Sequence, residues 1–444
     1  MQQDTATLKD LSVFTPGGGI FNLLDHTRTR QGKDALHRLV LSPPKNFQTL
    51  KEYQDAVRYL TKNPALLPNQ ITNGTLVMLE QFFESADFHY AMPSAAMLSL
   101  QAMMDKVFNK STYSFNRFSL THIADFLSGM EMMAGYANIS DVPALLQTKF
   151  AEIAKLIETK PLIQQILNQQ NSNSYKDIIR LNFRARRELK HTIYNLIRLY
   201  AEVDALQSLA VATLKHNWVF PTILPEDRVC FKAKGLYHPL LKNPVAYDLE
   251  FDSSQNFLIL TGANMSGKTT FMRAIGIAAL LAHLGAGVPA THFEINFLHG
   301  IITNMHVEDN ILTGESYFLA EVRRMKRTAE KLREQASHLV LMDELFKGTN
   351  VYDAYECTRL VTEELIHKKQ HILVLSTHLY EVAQQFKDHQ DVRFACFVTN
   401  MTQQGEFSFT YTLKEGISDD RLGSRILQDE GVLNLLQDKP NSSV

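Results

Sequence analysis

Cysteine is scarce in this chain: Cys230, Cys357 and Cys396 are all it has, and no two stand at a metal-ligand spacing. A disulfide framework and a cysteine-based zinc site are thereby excluded, and the usage is that of a reduced compartment. Charge of one sign is lacking too. Lys and Arg number 45 against 47 Asp and Glu, a formal net charge of −2, so any pull on a polyanion must come from a local patch. Long apolar runs are also missing. No window reaches the ~20 uninterrupted apolar residues of a membrane span, and the opening MQQDTATLKDLSVF has no secretory apolar core. A soluble, cytoplasmic protein with no membrane partner is expected.

What is there is ample: 444 residues, 45% of them hydrophobic, enough for about three domains. Residues 1–19 are polar and end in Pro16-Gly17-Gly18-Gly19, which reads as a flexible lead-in. From 20 to 216 the apolar residues recur at helical spacing, giving a helical core and lever domain. Helices are predicted over 74–90, 94–109, 117–137, 142–169 and 174–216. In the last of these Ile178, Leu181, Ala185, Leu189, Thr192, Leu196, Leu199, Val203, Leu206 and Ala210 step by threes and fours. That near-3.5 period predicts packing along another long helix.

The same helix carries Lys176, Arg180, Arg184, Arg187 and Lys190, with Arg186, His191 and Arg198 nearby. Such a run is either a solvated face or a stripe of phosphate contacts for nucleic acid, and the pattern alone favours the solvated face. Phe82-Phe83-Glu84 matches the Phe-x-Glu triplet of some DNA-lesion readers. It lies inside an apolar-periodic helix, where ordinary packing explains it better.

Residues 217–414 read as an α/β domain. The apolar strand 257–260 runs into Gly262-Ala263-Asn264-Met265-Ser266-Gly267-Lys268-Thr269, a full G-x-x-x-x-G-K-[ST] phosphate loop, followed by Thr270 and an apolar helix. Backbone N–H groups of Gly262, Asn264, Met265, Ser266 and Gly267 would cradle the phosphates of a nucleoside triphosphate, with Lys268 reaching the β/γ-phosphates and Thr269 ligating Mg²⁺. A second strand, 338–342, delivers Asp343 and Glu344 to its C-terminal end, the edge where such sheets bind ligands. Asp343 would hold Mg²⁺ through water, and Glu344 would orient and deprotonate an attacking water. A third strand, 372–375, ends in Ser376-Thr377-His378, where His378 is either scaffolding or a γ-phosphate sensor; the two neighbouring strand ends favour the sensor. Thr313-Gly314-Glu315-Ser316 opens a helix, a second anion site in a chain that already has one, which suggests donation across a dimer. Residues 393–414 alternate as two strands around Gln404-Gly405, and 416–436 read as two short helices.

These motifs together resemble the MutS family of DNA mismatch repair proteins. Thr261-Gly262-Ala263-Asn264-Met265-Ser266-Gly267-Lys268-Thr269-Thr270 is similar to its phosphate loop TGPNMGGKST. Gly314-Glu315-Ser316-Tyr317-Phe318 with Glu321 resembles its signature helix, Leu341-Met342-Asp343-Glu344-Leu345 with Gly348-Thr349 its magnesium strand and D-loop, and Ser376-Thr377-His378 its switch histidine. Upstream, Ile20 to Thr27 resembles the start of the family's core domain, and Glu202-Val203-Asp204 its returning lever. The resemblance implies α + α/β architecture: a helical core and lever domain, then an ABC-type ATPase domain with a mixed sheet. A helix-turn-helix dimerisation tail is implied over 415–444. It further implies a homodimer in which Lys268, Thr269, Asp343 and Glu344 serve one ATP while Ser316 reaches the γ-phosphate bound by the partner.

The implied activity is ATP hydrolysis coupled to clamping of mismatched, distorted or branched double-stranded DNA, with a repair protein as a further partner. With that context the basic stripe becomes as good a reading as the solvated face. The resemblance leaves no room before Ile20 for the family's mismatch-reading domain and none after Val444 for a nuclease domain, so an ATP-gated assembly module holding a protein partner is the alternative. Two differences stand in the motifs. The D-loop reads Phe346-Lys347-Gly348-Thr349-Asn350 where the family has Gly-Arg-Gly-Thr-Ser, and Tyr317 replaces a threonine. Tyr247, in Asn243-Pro244-Val245-Ala246-Tyr247, is the aromatic candidate against adenine.

Overall fold

A computed structural model describes residues 1, 4–84, 94–169, 174–305, 316–334, 336–401 and 407–418. They form two compact units. A helical unit is drawn from Leu23–Leu41 and Gln48–Lys215, and an α/β unit holds the other described residues.

Among the described residues the α/β unit contains ten strands: β1 (Thr222–Leu224), β2 (Cys230–Leu236), β3 (Tyr247–Asp252), β4 (Phe257–Thr261), β5 (His292–Asn296), β6 (Gly300–Asn304), β7 (His338–Asp343), β8 (Ile372–Ser376), β9 (Val392–Met401) and β10 (Phe407–Glu415). Six of them form one mixed sheet in the order β10-β9-β4-β8-β7-β6. Every neighbouring pair in it is parallel except β9 with β10. The remaining four form a second sheet, β1-β5-β2-β3. Strands β4, β6, β7 and β8 are buried at every residue, which is why β4, β7 and β8 read as apolar runs rather than as alternation. Between β4 and β8 the register pairs Leu260 with Ser376, and between β7 and β8 it pairs Asp343 with Ser376. The three strand ends that carry the sequence motifs therefore lie side by side.

The opening residues correct the expectation of a flexible lead-in. Thr5–Asp10 is a helix whose N-cap, Asp4, accepts a hydrogen bond from the Thr7 N–H at 2.7 Å. Leu8, Leu11 and Val13 are buried. Asp10 accepts hydrogen bonds from Thr303 Oγ1 at 2.6 Å and from the Arg324 guanidinium at 2.7 Å. Three of the polar residues that suggested a solvated tail, Asp4, Thr7 and Asp10, are partners of groups on β6 and on the helix Tyr317–Lys331.

In the helical unit two expected long helices are divided. The stretch 142–169 becomes Ala144–Glu158 and Pro161–Gln169, with Pro161 opening the second helix, where its missing N–H is tolerated. The stretch 174–216 becomes Tyr175–Glu188 and Lys190–Lys215, interrupted at Leu189 alone. Among the described residues no single helix runs alongside this pair. Tyr175–Glu188 packs on Ala95–Phe108 and Lys110–Ala134, and Lys190–Lys215 on Arg30–Leu41 and Ala144–Glu158. The regular apolar stripe is thus read by successive partners.

Asp204, fully buried, anchors this unit. Its carboxylate accepts from the N–H groups of Arg28 and Thr29 and from Thr29 Oγ1, at 2.7–3.2 Å. Phe82 and Phe83 are core residues, as expected of a packed helix. The region of the expected C-terminal helix-turn-helix lies outside the described residues from 419 onward.

Candidate functional site

The chain leaves β4 through a loop that only a particular backbone can make. Gly262, Met265 and Gly267 all have positive φ, at 139°, 67° and 108°. Gly267, at the start of the helix Lys268–His283, has no side chain to cap the helix N-terminus, so the first N–H groups of that helix are available to an anion. Lys268 is buried, its ammonium donating to the carbonyls of Gly262 at 2.7 Å and Ala263 at 3.0 Å. Burial draws its pKa down, against the pull of Glu344 and Asp343. Such an ammonium, folded back onto its own loop, can exchange carbonyl partners for phosphate oxygens.

Thr269 and Asp343 meet: the hydroxyl donates to Asp343 Oδ2 at 2.7 Å. The other oxygen, Asp343 Oδ1, is buried without a hydrogen-bond partner, as are Ser266 Oγ and Ser376 Oγ. Buried acceptors left this way are costly unless a ligand completes them. One carboxylate and one hydroxyl suit a cation that takes the rest of its shell from water and phosphate, as Mg²⁺ does. Among the described residues no group of three or more His, Cys, Asp and Glu could hold a metal by itself.

Glu344 follows directly, with φ of 50° and its N–H donating to Ser376 O at 2.8 Å. That contact with the end of β8 sets the direction of the turn after β7. Its carboxylate lies 2.8 Å from Lys347 Nζ and 3.8 Å from His378 Nδ1. The His378 ring and the Lys347 ammonium hold the Glu344 carboxyl down at about 2, although burial pushes the other way. At 3.8 Å the imidazole is near that carboxylate but beyond a well-formed hydrogen bond.

A cavity of about 480 Å³ opens over the loop, lined among others by Tyr247, Asn264, Met265, Ser266, Lys268, Thr269, Thr270 and Glu344. Its size and mixed lining suit a small anionic ligand with an aromatic part. Tyr247 packs T-shaped with Phe271 and Phe397, ring centroids 5.0 and 5.9 Å away, so part of its ring surface is committed to the core. His238, Lys242 and Tyr411 also line the cavity and were missed from sequence. Tyr411 comes from the edge strand β10, inside a register shift between Phe409 and Leu413, which alternation cannot reveal. Ser316 caps the helix Tyr317–Lys331, accepting from the Leu319 N–H at 3.3 Å, and is exposed. It does not line the cavity within this one chain. Gly314 and Glu315 lie outside the described residues.

In the helical unit the basic stripe is largely occupied. Arg180 pairs with Asp177 at 2.7 Å. Arg184 takes Glu188 through two hydrogen bonds, at 2.9 and 3.1 Å, and Gln165 at 2.6 Å. Arg186 sits 4.1 Å over the Phe82 ring, and burial lowers its pKa to about 10. Arg187 and Lys190 are exposed, and Lys176 is half-buried.

A mostly parallel sheet with a glycine loop and two strand-end carboxylates, in one chain with a helical unit, places the molecule among mixed α/β proteins. Comparison with known families is more specific. The family described as MutS domain III matches residues 6–210, and the one described as MutS domain V matches residues 258–435. The chain belongs to the MutS family. It is 32% identical over 238 residues to DNA mismatch repair protein MutS 1 of Halobacterium salinarum, covering 53% of this chain and 27% of that protein. With DNA mismatch repair protein MSH7 of Arabidopsis thaliana it shares 25% identity over 487 residues, covering 97% of this chain and 43% of that protein. The MutS of Lawsonia intracellularis is 31% identical over 290 residues, 62% of this chain and 31% of that one. The chain thus spans less than half the length of each of these relatives. Among the described residues no helix is long and apolar enough to cross a membrane.

Proposed function

We propose that the protein is a MutS-like, DNA-binding ATPase that works as a homodimer in the cytoplasm and couples ATP binding and hydrolysis to clamping of mismatched, distorted or branched DNA. The observation that carries this reading is the Thr269–Asp343 hydrogen bond, with an unpartnered carboxylate oxygen beside it and Glu344 one residue further on. Lys268 and the N–H groups of the glycine loop bind the phosphates of ATP, and Thr269 and Asp343 hold Mg²⁺. Mg²⁺ held by Thr269 and Asp343 would supply positive charge against the phosphates. Glu344 orients the attacking water and takes its proton, His378 senses the γ-phosphate, and Tyr247 meets the base. Ser316 completes the site of the partner subunit through the positive end of its helix. The output is movement of the helical levers, to which a repair protein responds.

Lys268→Ala should weaken nucleotide binding, whereas Glu344→Gln should still bind ATP and lose at least ~100-fold in hydrolysis, because only the proton acceptor is gone. Equal hydrolysis by either variant and the wild type would overturn the assignment. The DNA part is tested by competition among homoduplex, mismatched duplex and four-way junction at several salt concentrations. A DNA clamp loses affinity steeply with salt. No binding to any of them at low salt would instead favour an ATP-gated assembly module whose levers hold a protein.

A further inference from the structure

The helix that Ser316 opens meets the turn that carries Glu344 through the packing of Phe318 on Phe346, ring centroids 6.1 Å apart, and through one carboxylate. Glu321, buried on that helix, turns both carboxylate oxygens onto consecutive backbone N–H groups. Oε1 accepts from Lys347 at 3.1 Å and Oε2 from Gly348 at 3.0 Å. Charge-assisted pairs of this kind hold direction as well as distance. The clasped segment is turn rather than helix or strand. Within it Glu344 and Phe346 both sit at positive φ, 50° and 61°, a conformation that persists only where its surroundings impose it. Gly348 allows the close approach, since a Cβ there would come within 2.5 Å of the Tyr317 ring and 2.7 Å of the Phe318 nitrogen. Lys347, whose backbone is clasped, then reaches back with its ammonium to Glu344 Oε2 at 2.8 Å.

We propose that Glu321 is a positioning residue: it ties the helix begun by Ser316 to the Glu344 carboxylate by clasping the loop that carries Lys347. This rests on the ATPase reading above. Any displacement of the Ser316 helix pulls on the Lys347 and Gly348 amides and shifts the Lys347 ammonium along the Glu344 carboxylate. The direction in which that carboxylate faces then follows the helix, and a small misplacement of a reacting group is costly in rate. One carboxylate thus links the surface offered to a partner subunit with the proton acceptor of its own.

The test compares wild type, Glu321→Gln, Lys347→Met and the double variant in the full chain, by steady-state ATP hydrolysis, nucleotide affinity and amide hydrogen exchange. Glutamine keeps one acceptor oxygen and presents a donor to the other N–H. Glu321→Gln should lower kcat roughly tenfold with little change in nucleotide Kd, and should speed exchange at Lys347 and Gly348. In the Lys347→Met background it should change kcat no further, because the side chain it acts through is gone. Full additivity of the two substitutions, or unchanged exchange at both amides, would overturn the proposal. Should Glu321→Gln fail to fold, Gly348→Ala pushes the same loop off Tyr317 and should give the same split between kcat and Kd. A wild-type chain that hydrolyses no ATP would refute the ATPase reading instead, and the exchange comparison, which needs no nucleotide, would still decide whether Glu321 holds the loop.

Discussion

Thr269 and Asp343, 74 positions apart in the chain, share a 2.7 Å hydrogen bond. Only β8 separates β4 from β7 in the sheet, so the helix that follows β4 brings its second residue to the carboxylate that ends β7. The contact is a product of parallel strand order, in which loops of distant sequence converge at one sheet edge.

Asp343→Asn keeps the shape of that side chain and removes its charge. In a titration of ATP hydrolysis with Mg²⁺, the variant should need roughly tenfold or more of the cation, while binding of nucleotide without Mg²⁺ should change little. Thr269→Ser, which keeps the hydroxyl, should stay close to wild type. An Asp343→Asn protein with unaltered Mg²⁺ dependence would remove Asp343 from the cation site.

The ion pair of Asp10 and Arg324 is 2.7 Å long, with side chains 3% and 12% exposed. Removing one member leaves the other charged and buried, which typically costs about 3–5 kcal/mol. Asp10→Ala should therefore lower the urea midpoint of the α/β unit sharply. The pair Asp10→Ala with Arg324→Met should cost less than the sum of the two single changes. A loss below about 1 kcal/mol for Asp10→Ala would mean that the helix Thr5–Asp10 is held by its apolar residues alone.

The burial of that helix also marks what the sequence could not convey. Strands β4, β7 and β8 were legible because apolar residues in an unbroken row, ended by Gly262, Asp343 or Ser376, leave little choice of structure. The loop Gly262–Thr269 was legible because its chemistry is local. By contrast, nothing local distinguishes Asp10 from a solvated aspartate, since its partners Thr303 and Arg324 stand 293 and 314 positions away. Tyr411 reaches the cavity through an irregular pairing of β9 and β10, and the clasp of Glu321 on Lys347 and Gly348 joins a helix to a turn through backbone N–H groups. Such contacts are set by tertiary packing, which periodicity does not encode. Arg180 and Arg184 show the opposite case, for their partners Asp177 and Glu188 stand three and four positions away, a local helical spacing.

His283 gives a pH dependence with a defined sign. It is fully buried in the helix Lys268–His283, with Nε2 accepting from the Leu298 N–H at 2.8 Å and Nδ1 2.7 Å from the Ala279 carbonyl. That pair of contacts fits a neutral ring with its proton on Nδ1. Burial lowers its pKa from 6.5 to about 4, so on acidification the unfolded chain takes up the proton first. The stability due to the neutral ring is complete above pH 6.5 and is lost as pH falls toward 4, by up to about 1.4 kcal/mol per pH unit. His238 and His371 are lowered to about 4 in the same way, and the three act together. Urea unfolding at about pH 7 and about pH 5, either side of the ordinary histidine pKa, should show the loss. His283→Gln should be less stable at the higher pH and should have a shallower slope between the two. Identical slopes would mean that His283 does not titrate on unfolding.

The basic stripe of the helix Tyr175–Glu188 and of Lys190, which opens the next helix, separates into two kinds of residue, and DNA binding should separate with them. Arg180 and Arg184 already have carboxylate partners, so each must exchange Asp177 or Glu188 for a phosphate, with little net gain in an exposed setting. Arg187 and Lys190 face solvent and make no such exchange with those two carboxylates. If the stripe contacts DNA, Arg187→Ala and Lys190→Ala should each weaken binding to all duplexes alike. Each should also reduce the slope of log affinity against log salt by about 1. Arg180→Ala should change the slope less, and Asp177→Asn should raise affinity by releasing Arg180 from its partner. Affinities and salt slopes measured on one duplex for the four variants check this, and unchanged slopes for Arg187→Ala and Lys190→Ala would leave the stripe as a solvated helix face.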